Sequence, residues 1–163
     1  MLGLLVHAMI IRPIAESDVE EISQIFVASF SAPPWNEAWT AEAARACLRP
    51  KLQTQSSRGY VAILKDSIVG AAFGQIESGL NKNKFHLQEF FVMPPVQRQG
   101  IGKKLLSTFF SELAVAENVG SIYLLTIRAG PAQDFYEKFG FSASAKIVVM
   151  GVAIKSFISN AKA

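Results

Sequence analysis

Two rhythms of hydrophobic and polar residues alternate along the chain and divide it into elements. "MIIRPI" (9–14) reads as a strand. In "ESDVEEISQIFVASF", Val19, Ile22, Ile25, Phe26 and Phe30 recur at helical spacing. Ser17 with Glu20 three residues on predicts a capping box at the start of that helix. "SAPPWNEAWT" is a loop by its prolines. Thr40 is placed to cap a second helix running towards Leu48, with Pro50 closing it. Two β-rich runs, 60–64 and 68–76, flank a Lys65-Asp66-Ser67 turn and predict a hairpin. "NKNK" is a polar turn, and "FHLQEFFVM" is a further strand ended by Pro94-Pro95, because proline cannot donate to a ladder.

A helix is expected after Gly102, with Ile101, Leu105, Phe109 and Leu113 on one stripe and Leu106 and Phe110 widening it. "SIYLLTI" reads as a buried strand. Pro131 opens a short helix at its favoured first position, and Gly140 stops it. "AKIVVMGVAIKSFI" (145–158) predicts one or two final strands. The pattern is a mixed α/β domain over 9–158, with tails at 1–8 and 159–163 and a strand–helix–strand crossover in its second half.

The 163 residues suffice for one domain with a sizeable core, and half of them are hydrophobic. No apolar run approaches the roughly 18 residues of a membrane span. "MLGLLVHAMII" lacks a basic leader and reads as a tail. The formal net charge of +3 suits an anionic small ligand, and no basic cluster interleaved with aromatics calls for nucleic acid. Cys47 is the only cysteine, and His7 and His86 are the only histidines. No disulfide framework or metal site is expected, and the cytoplasm is the expected compartment.

The stretch "EFFVMPPVQRQGIGKKLL" carries the chemistry. A Walker loop needs a glycine five residues before Gly102 and a Ser or Thr after the lysine; the chain has Gln97 and Lys104 there. A dinucleotide fingerprint needs a third glycine where Leu105 stands. What remains is a helix N-terminus, whose unpaired N–H groups attract anions. Gly100 and Gly102 keep side chains out of the way, and Arg98, Lys103 and Lys104 add positive charge. Residues 98–103 are therefore a candidate pyrophosphate cradle; otherwise the glycines only shape a tight turn.

These residues resemble motif A of the GCN5-related N-acetyltransferases, V-x-P-x-x-[QR]-x-x-G-x-[GA]. "GPAQDFYEKFGF" (130–141) resembles the family's later motif. The resemblance covers residues 9–157. It implies a central, mostly antiparallel sheet of six to seven strands with strands four and five splayed, flanked by four helices. It implies acetyl-coenzyme A as cosubstrate, with no metal, and transfer of its acetyl group to an amine by direct attack in a ternary complex. Phe91 and Val92 would offer backbone groups to the pantetheine arm. Gln97, Arg98, Gln99, Gly100, Ile101, Gly102 and Lys103 would hold the pyrophosphate.

By the same resemblance Tyr136 would protonate the leaving thiolate; the plain alternative is packing beside Phe135 and Phe139. Glu89 is the candidate general base, and binding a substrate ammonium or making a salt bridge are the alternatives. "LQEFFVM" is similar to the "LEDFFVM" of polyamine acetyltransferases, but Gln88 stands where their functional acid lies. Ala129 stands where many relatives keep an asparagine on the cofactor. Phe30, Trp35 and Glu37 fall where the family lines its acceptor side, and Trp39 reads as a loop anchor. The implied function is an N-acetyltransferase acting on the primary amine of a small molecule. A protein N-terminus or lysine as acceptor, or a coenzyme A-binding module without transfer, are the alternatives. A homodimer through the apolar C-terminal segment is also expected.

Overall fold

The computed structural model describes residues 8–154. In chain order they form β1 (Ile10–Pro13), α1 (Val19–Phe30), α2 (Ala41–Gln53), β2 (Ser57–Leu64), β3 (Ser67–Glu77), β4 (Asn83–Val92), α3 (Ile101–Ala116), β5 (Val119–Leu124) and α4 (Pro131–Lys138). The strands make one sheet in the order β1-β2-β3-β4-β5. The first four are antiparallel, and β5 joins β4 in parallel after the α3 crossover. The chain divides into two compact units, one ending at Leu125 and one beginning at Thr126.

In the first unit, Ile22, Ile25 and Phe26 of α1 and Ala44 and Leu48 of α2 pack on Val61, Ile68, Ala71, Phe73 and Phe91 of the sheet. The α3 stripe is buried at Leu105, Leu106, Phe109 and Leu113, with Phe109 against Tyr60 (5.0 Å between ring centroids) and Phe85 (5.3 Å). The β2–β3 hairpin closes in two residues, Lys65 (φ 51°) and Asp66 (φ 62°). Positive φ at both positions matches the right-handed twist of the flanking strands.

Local signals hold in part. Thr40 Oγ1 accepts the Ala43 N–H at 3.1 Å, as expected of a cap. The start of α1 is fixed differently from the Ser17–Glu20 expectation. Asp18 accepts the Ala15 N–H (2.7 Å) and both terminal nitrogens of Arg12 (2.7 and 2.9 Å), which pins a short 3₁₀ turn ahead of the helix. Pro50 does not close α2, which runs on to Gln53. The bond lost at Pro50 falls on an exposed face, where the orphaned carbonyl of Ala46 is open to solvent. Leu48 and Leu52 both pack on the core and hold the helix on either side.

Two expectations about the sheet are corrected. "SIYLLTI" is not a buried strand: β5 ends at Leu124, and Tyr123, Leu125 and Ile127 are exposed. The described residues contain five strands, where six to seven were expected. Residues 145–154 form no strand although their composition favours one, and Ile147, Val148, Val149, Met150 and Val152 are exposed. A strand is made by its ladder partner, and propensity alone does not supply one. Residues 155–158 of the same expected element lie outside the described residues.

Candidate functional site

The parallel pairing of β5 with β4 stops at Leu87↔Leu124, while β4 continues from Gln88 to Val92. Among the described residues this last part of β4 pairs only with β3. Its hydrogen-bonding parity follows from one bond: Met93 N–H donates to Val69 O at 2.8 Å. In an antiparallel ladder, alternate residues bond the same neighbour. Met93↔Val69 and Phe91↔Ala71 therefore bond across to β3, and the backbone groups of Phe90 and Val92 point towards the edge that β5 leaves uncovered. The sequence expectation set Phe91 and Val92 at that edge. The register places Val92 there, with Phe90 as its companion, while the main chain of Phe91 faces β3 and its ring fills the core.

A register shift between Phe73 and Gly74 leaves Gln88 as the extra residue on β4. Its Oε1 is buried and has no hydrogen-bond partner among the described residues. Buried acceptors without a donor are uncommon. Next along the strand, Glu89 is held by Lys51 of α2, with Nζ 2.5 Å from Oε1. Burial opposes the Lys51 charge, but the bond to Glu89 and its negative charge outweigh that, so the ammonium pKa is raised.

Beyond β4, Pro94–Val96 form a 3₁₀ turn and the chain reverses into α3. Gln97 Nε2 donates back to Val92 O at 2.8 Å, and Ser29 Oγ approaches the same carbonyl at 3.4 Å. Gln97 thereby ties the loop to the end of β4. Arg98 (φ 61°) and Gly100 (φ 82°) are both left-handed. Such conformations between extended strand and helix turn successive N–H groups to one side, forming an anion-binding concavity. The first N–H of α3 to find a helical acceptor is that of Lys104, bonded to Gly100 O at 3.0 Å. The N–H groups of Arg98 to Lys103 have no carbonyl partner among the described residues.

Two glycines make the loop possible. A side chain at Gly100 would meet nothing within 4 Å, so only its backbone conformation demands glycine. At Gly102 a Cβ would lie 2.8 Å from Phe90 Cζ, so the missing side chain lets the first turn of α3 close on β4. Lys103 and Lys104 sit in that first turn with no acidic residue there. Cations are unfavourable against the positive end of a helix dipole. Local violations of this kind concentrate at functional or strained sites. The N–H groups, the open space beside Gly100 and the exposed lysines fit a pyrophosphate.

On the α1–α2 face, aromatic rings run from core to surface. Phe26 meets Phe91 (5.5 Å), Phe30 (4.5 Å) and Trp39 (5.0 Å), and Phe30 meets Trp35 (5.5 Å). Trp39 anchors the loop, and its Nε1 donates to Glu37 Oε2 at 2.5 Å. Phe30 and Trp35 are half-buried at the outer end of this cluster.

In the second unit, α4 ends in a Schellman cap. Gly140 (φ 101°) donates to Glu137 O (3.0 Å), and Phe141 N–H donates to Tyr136 O (2.9 Å). The accompanying hydrophobic contact is Tyr136 on Phe141, with ring centroids 5.6 Å apart. Tyr136 is half-buried, with Phe135 also edge-on to it at 5.4 Å. The "FYEKFGF" spacing is thus a helix stop that fixes the tyrosine ring. Ala129 is left-handed (φ 56°), a conformation that asparagine tolerates better, and its N–H donates to Gln133 Oε1 at 2.7 Å.

Sequence reasoning missed Lys51 and Ser29. Lys51 stands 38 residues from Glu89, and no local pattern links them. Among the described residues, no group of three or more His, Cys, Asp or Glu side chains is placed to hold a metal ion, and no helix is long and apolar enough to cross a membrane.

A family model described as "Acetyltransferase (GNAT) domain" matches residues 15–152, and the chain belongs to that family. No curated protein matches the sequence closely enough to be counted a relative. Several solved structures share the fold. A transcriptional regulator from Bacillus halodurans C-125 is 19% identical, with 89% of this chain and 100% of that chain covered at a TM-score of 0.71. The aminoglycoside acetyltransferase meta-AAC0020 from an uncultured soil metagenomic sample, in complex with sisomicin, is 21% identical, with 89% and 95% covered at 0.68. Aminoglycoside N-acetyltransferase AAC(6')-Iy in complex with CoA is 16% identical, with 93% and 99% covered at 0.72.

Proposed function

We propose that the protein transfers the acetyl group of acetyl-coenzyme A to the primary amine of a small molecule. The observation that carries this is the run of N–H groups from Arg98 to Lys103 that have no partner among the described residues, beside lysines set against the helix dipole. The pyrophosphate binds there, between Gln97 and Lys103. The pantetheine arm follows the uncovered edge of β4 and pairs with the Val92 N–H and the backbone of Phe90, since the Val92 carbonyl already accepts from Gln97 and Phe91 is committed to β3.

The amine nitrogen attacks the thioester carbonyl directly, in a ternary complex. Glu89 takes the ammonium proton, directly or through a water, with Lys51 Nζ 2.5 Å from its Oε1. When the tetrahedral intermediate collapses, the C–S bond breaks and the Tyr136 hydroxyl protonates the departing thiolate. Proton transfer of this kind contributes about 10²–10⁴-fold. Phe30 and Trp35 form an apolar wall for the acceptor, and Glu37 orients Trp39. The exposed apolar residues between Ile147 and Val152 favour a homodimer. The cytoplasm, where the acetyl donor is made and used, is the compartment that suits the reaction.

A second reading, a coenzyme A-binding module without transfer, gains from Glu89 being already engaged by Lys51. Thiol release from acetyl-coenzyme A with a panel of amines, wild type beside Tyr136→Phe, separates the two. Transfer requires amine-dependent release that falls about 10²-fold or more in Tyr136→Phe with cofactor affinity retained. Tight binding without release for any amine would favour the module.

A further inference from the structure

We infer that the acceptor is a small amine with a single positive charge and an apolar, planar body, and that Lys51 enforces this by occupying Glu89, the sheltered one of the three carboxylates Glu37, Glu77 and Glu89. The inference deepens the transferase proposal and rests on it.

Three carboxylates are candidates to draw in an amine. Glu37 is exposed and accepts from Trp39 Nε1 at 2.5 Å. Glu77 is exposed and accepts from the Tyr123 hydroxyl at 2.6 Å. Salt and water screen exposed charges over about 10 Å, so neither sets a strong preference. Glu89 differs, with a side chain only 14% exposed. Its charge is expressed at short range, and Lys51 Nζ already meets it at 2.5 Å. A second or third ammonium, as in a polyamine or an aminosugar, must displace Lys51 or remain unpaired beside it. Both outcomes work against binding.

The surroundings of this pair favour the complementary ligand. Gln88, adjacent on the strand, is a neutral amide whose buried Oε1 has no partner among the described residues, and it adds no charge beside Glu89. Phe30 and Trp35 carry the aromatic cluster outward from Phe26 and Phe91 and present a flat, apolar surface. A monoamine bearing a ring matches both features, and a polycation matches neither.

The test uses the full chain with acetyl-coenzyme A and four amines: phenethylamine, tryptamine, spermidine and sisomicin. Wild type should show kcat/KM for the two monoamines at least about tenfold above the two polycations, the scale of one charge-assisted hydrogen bond. Lys51→Met should swing that ratio towards spermidine by about tenfold, and Lys51→Arg should retain the wild-type ratio. A wild type faster on spermidine or sisomicin overturns the inference. So does a folded Lys51→Met with an unchanged ratio. Should Lys51→Met not fold, the wild-type panel and Lys51→Arg still decide. A wild type that binds the cofactor and turns over none of the four contradicts the transferase proposal itself, which is distinct from a reversed preference.

Discussion

Lys51 of α2 and Glu89 of β4 form a partly sheltered ion pair, 2.5 Å from Nζ to Oε1, that ties a helix to the strand beside the proposed cofactor edge. Removing the cation leaves a carboxylate with little access to water. Lys51→Met should lower stability by about 1–2 kcal/mol, between the values for exposed and for buried pairs. The pKa of Lys51 is raised in the fold. Its contribution is therefore complete below about pH 10.4, the unfolded value, and is lost as pH rises through the higher folded value. Thermal melts of both proteins from neutral to strongly alkaline pH should show a constant gap that narrows only at the alkaline end.

The Arg12–Asp18 pair behaves in the opposite sense. The bonds from Arg12 hold the Asp18 carboxyl below its ordinary range, burial opposes this, and the Ala15 N–H adds to the lowering. Stability from this group is complete above about pH 3.9 and is lost as pH falls through the depressed folded value. Asp18→Asn should cost about 1.5–3 kcal/mol at neutral pH, read by urea denaturation, and the difference from wild type should shrink in acid.

The two loop glycines should fail for different reasons. Gly100→Ala meets no atom but adopts an unfavourable backbone, so a loss of about 1 kcal/mol in stability is expected. Gly102→Val drives side-chain atoms into Phe90 and separates α3 from the end of β4. Its coenzyme A affinity should fall at least about tenfold more than that of Gly100→Ala, as read by calorimetry on folded protein.

The C-terminal cap of α4 gives a fourth expectation. Gly140→Ala keeps every side chain yet forces alanine to φ 101°, costing about 1 kcal/mol or more. Phe141→Ala removes the ring against Tyr136. It should lower kcat by loosening the Tyr136 ring, with coenzyme A affinity read alongside by calorimetry.

The loop and the cap were legible because their physics is local. Proline ends a strand, glycine permits left-handed backbone, and the residues concerned are neighbours in sequence. The α1 and α3 stripes were legible for the same reason, since periodicity reports which face is buried. Long-range choices left no local trace. Nothing near Glu89 announces Lys51, and nothing near Pro50 reveals that Leu48 and Leu52 would hold the helix across it. The identity of the backbone groups at the uncovered edge depended on ladder parity, which is set by where β3 and β4 register. The apolar run at 145–154 shows the limit of composition, because strand propensity without a partner does not make a strand.

The central claim is that the backbone from Arg98 to Lys103 grips the pyrophosphate of acetyl-coenzyme A. Titration of acetyl-coenzyme A into the full chain, followed by heat, tests it most directly when repeated with the dephosphorylated pantetheine thioester. The whole cofactor should bind saturably, more weakly as salt rises, and the truncated thioester should lose most of that affinity. No heat with acetyl-coenzyme A, or equal affinity for both compounds, would contradict it.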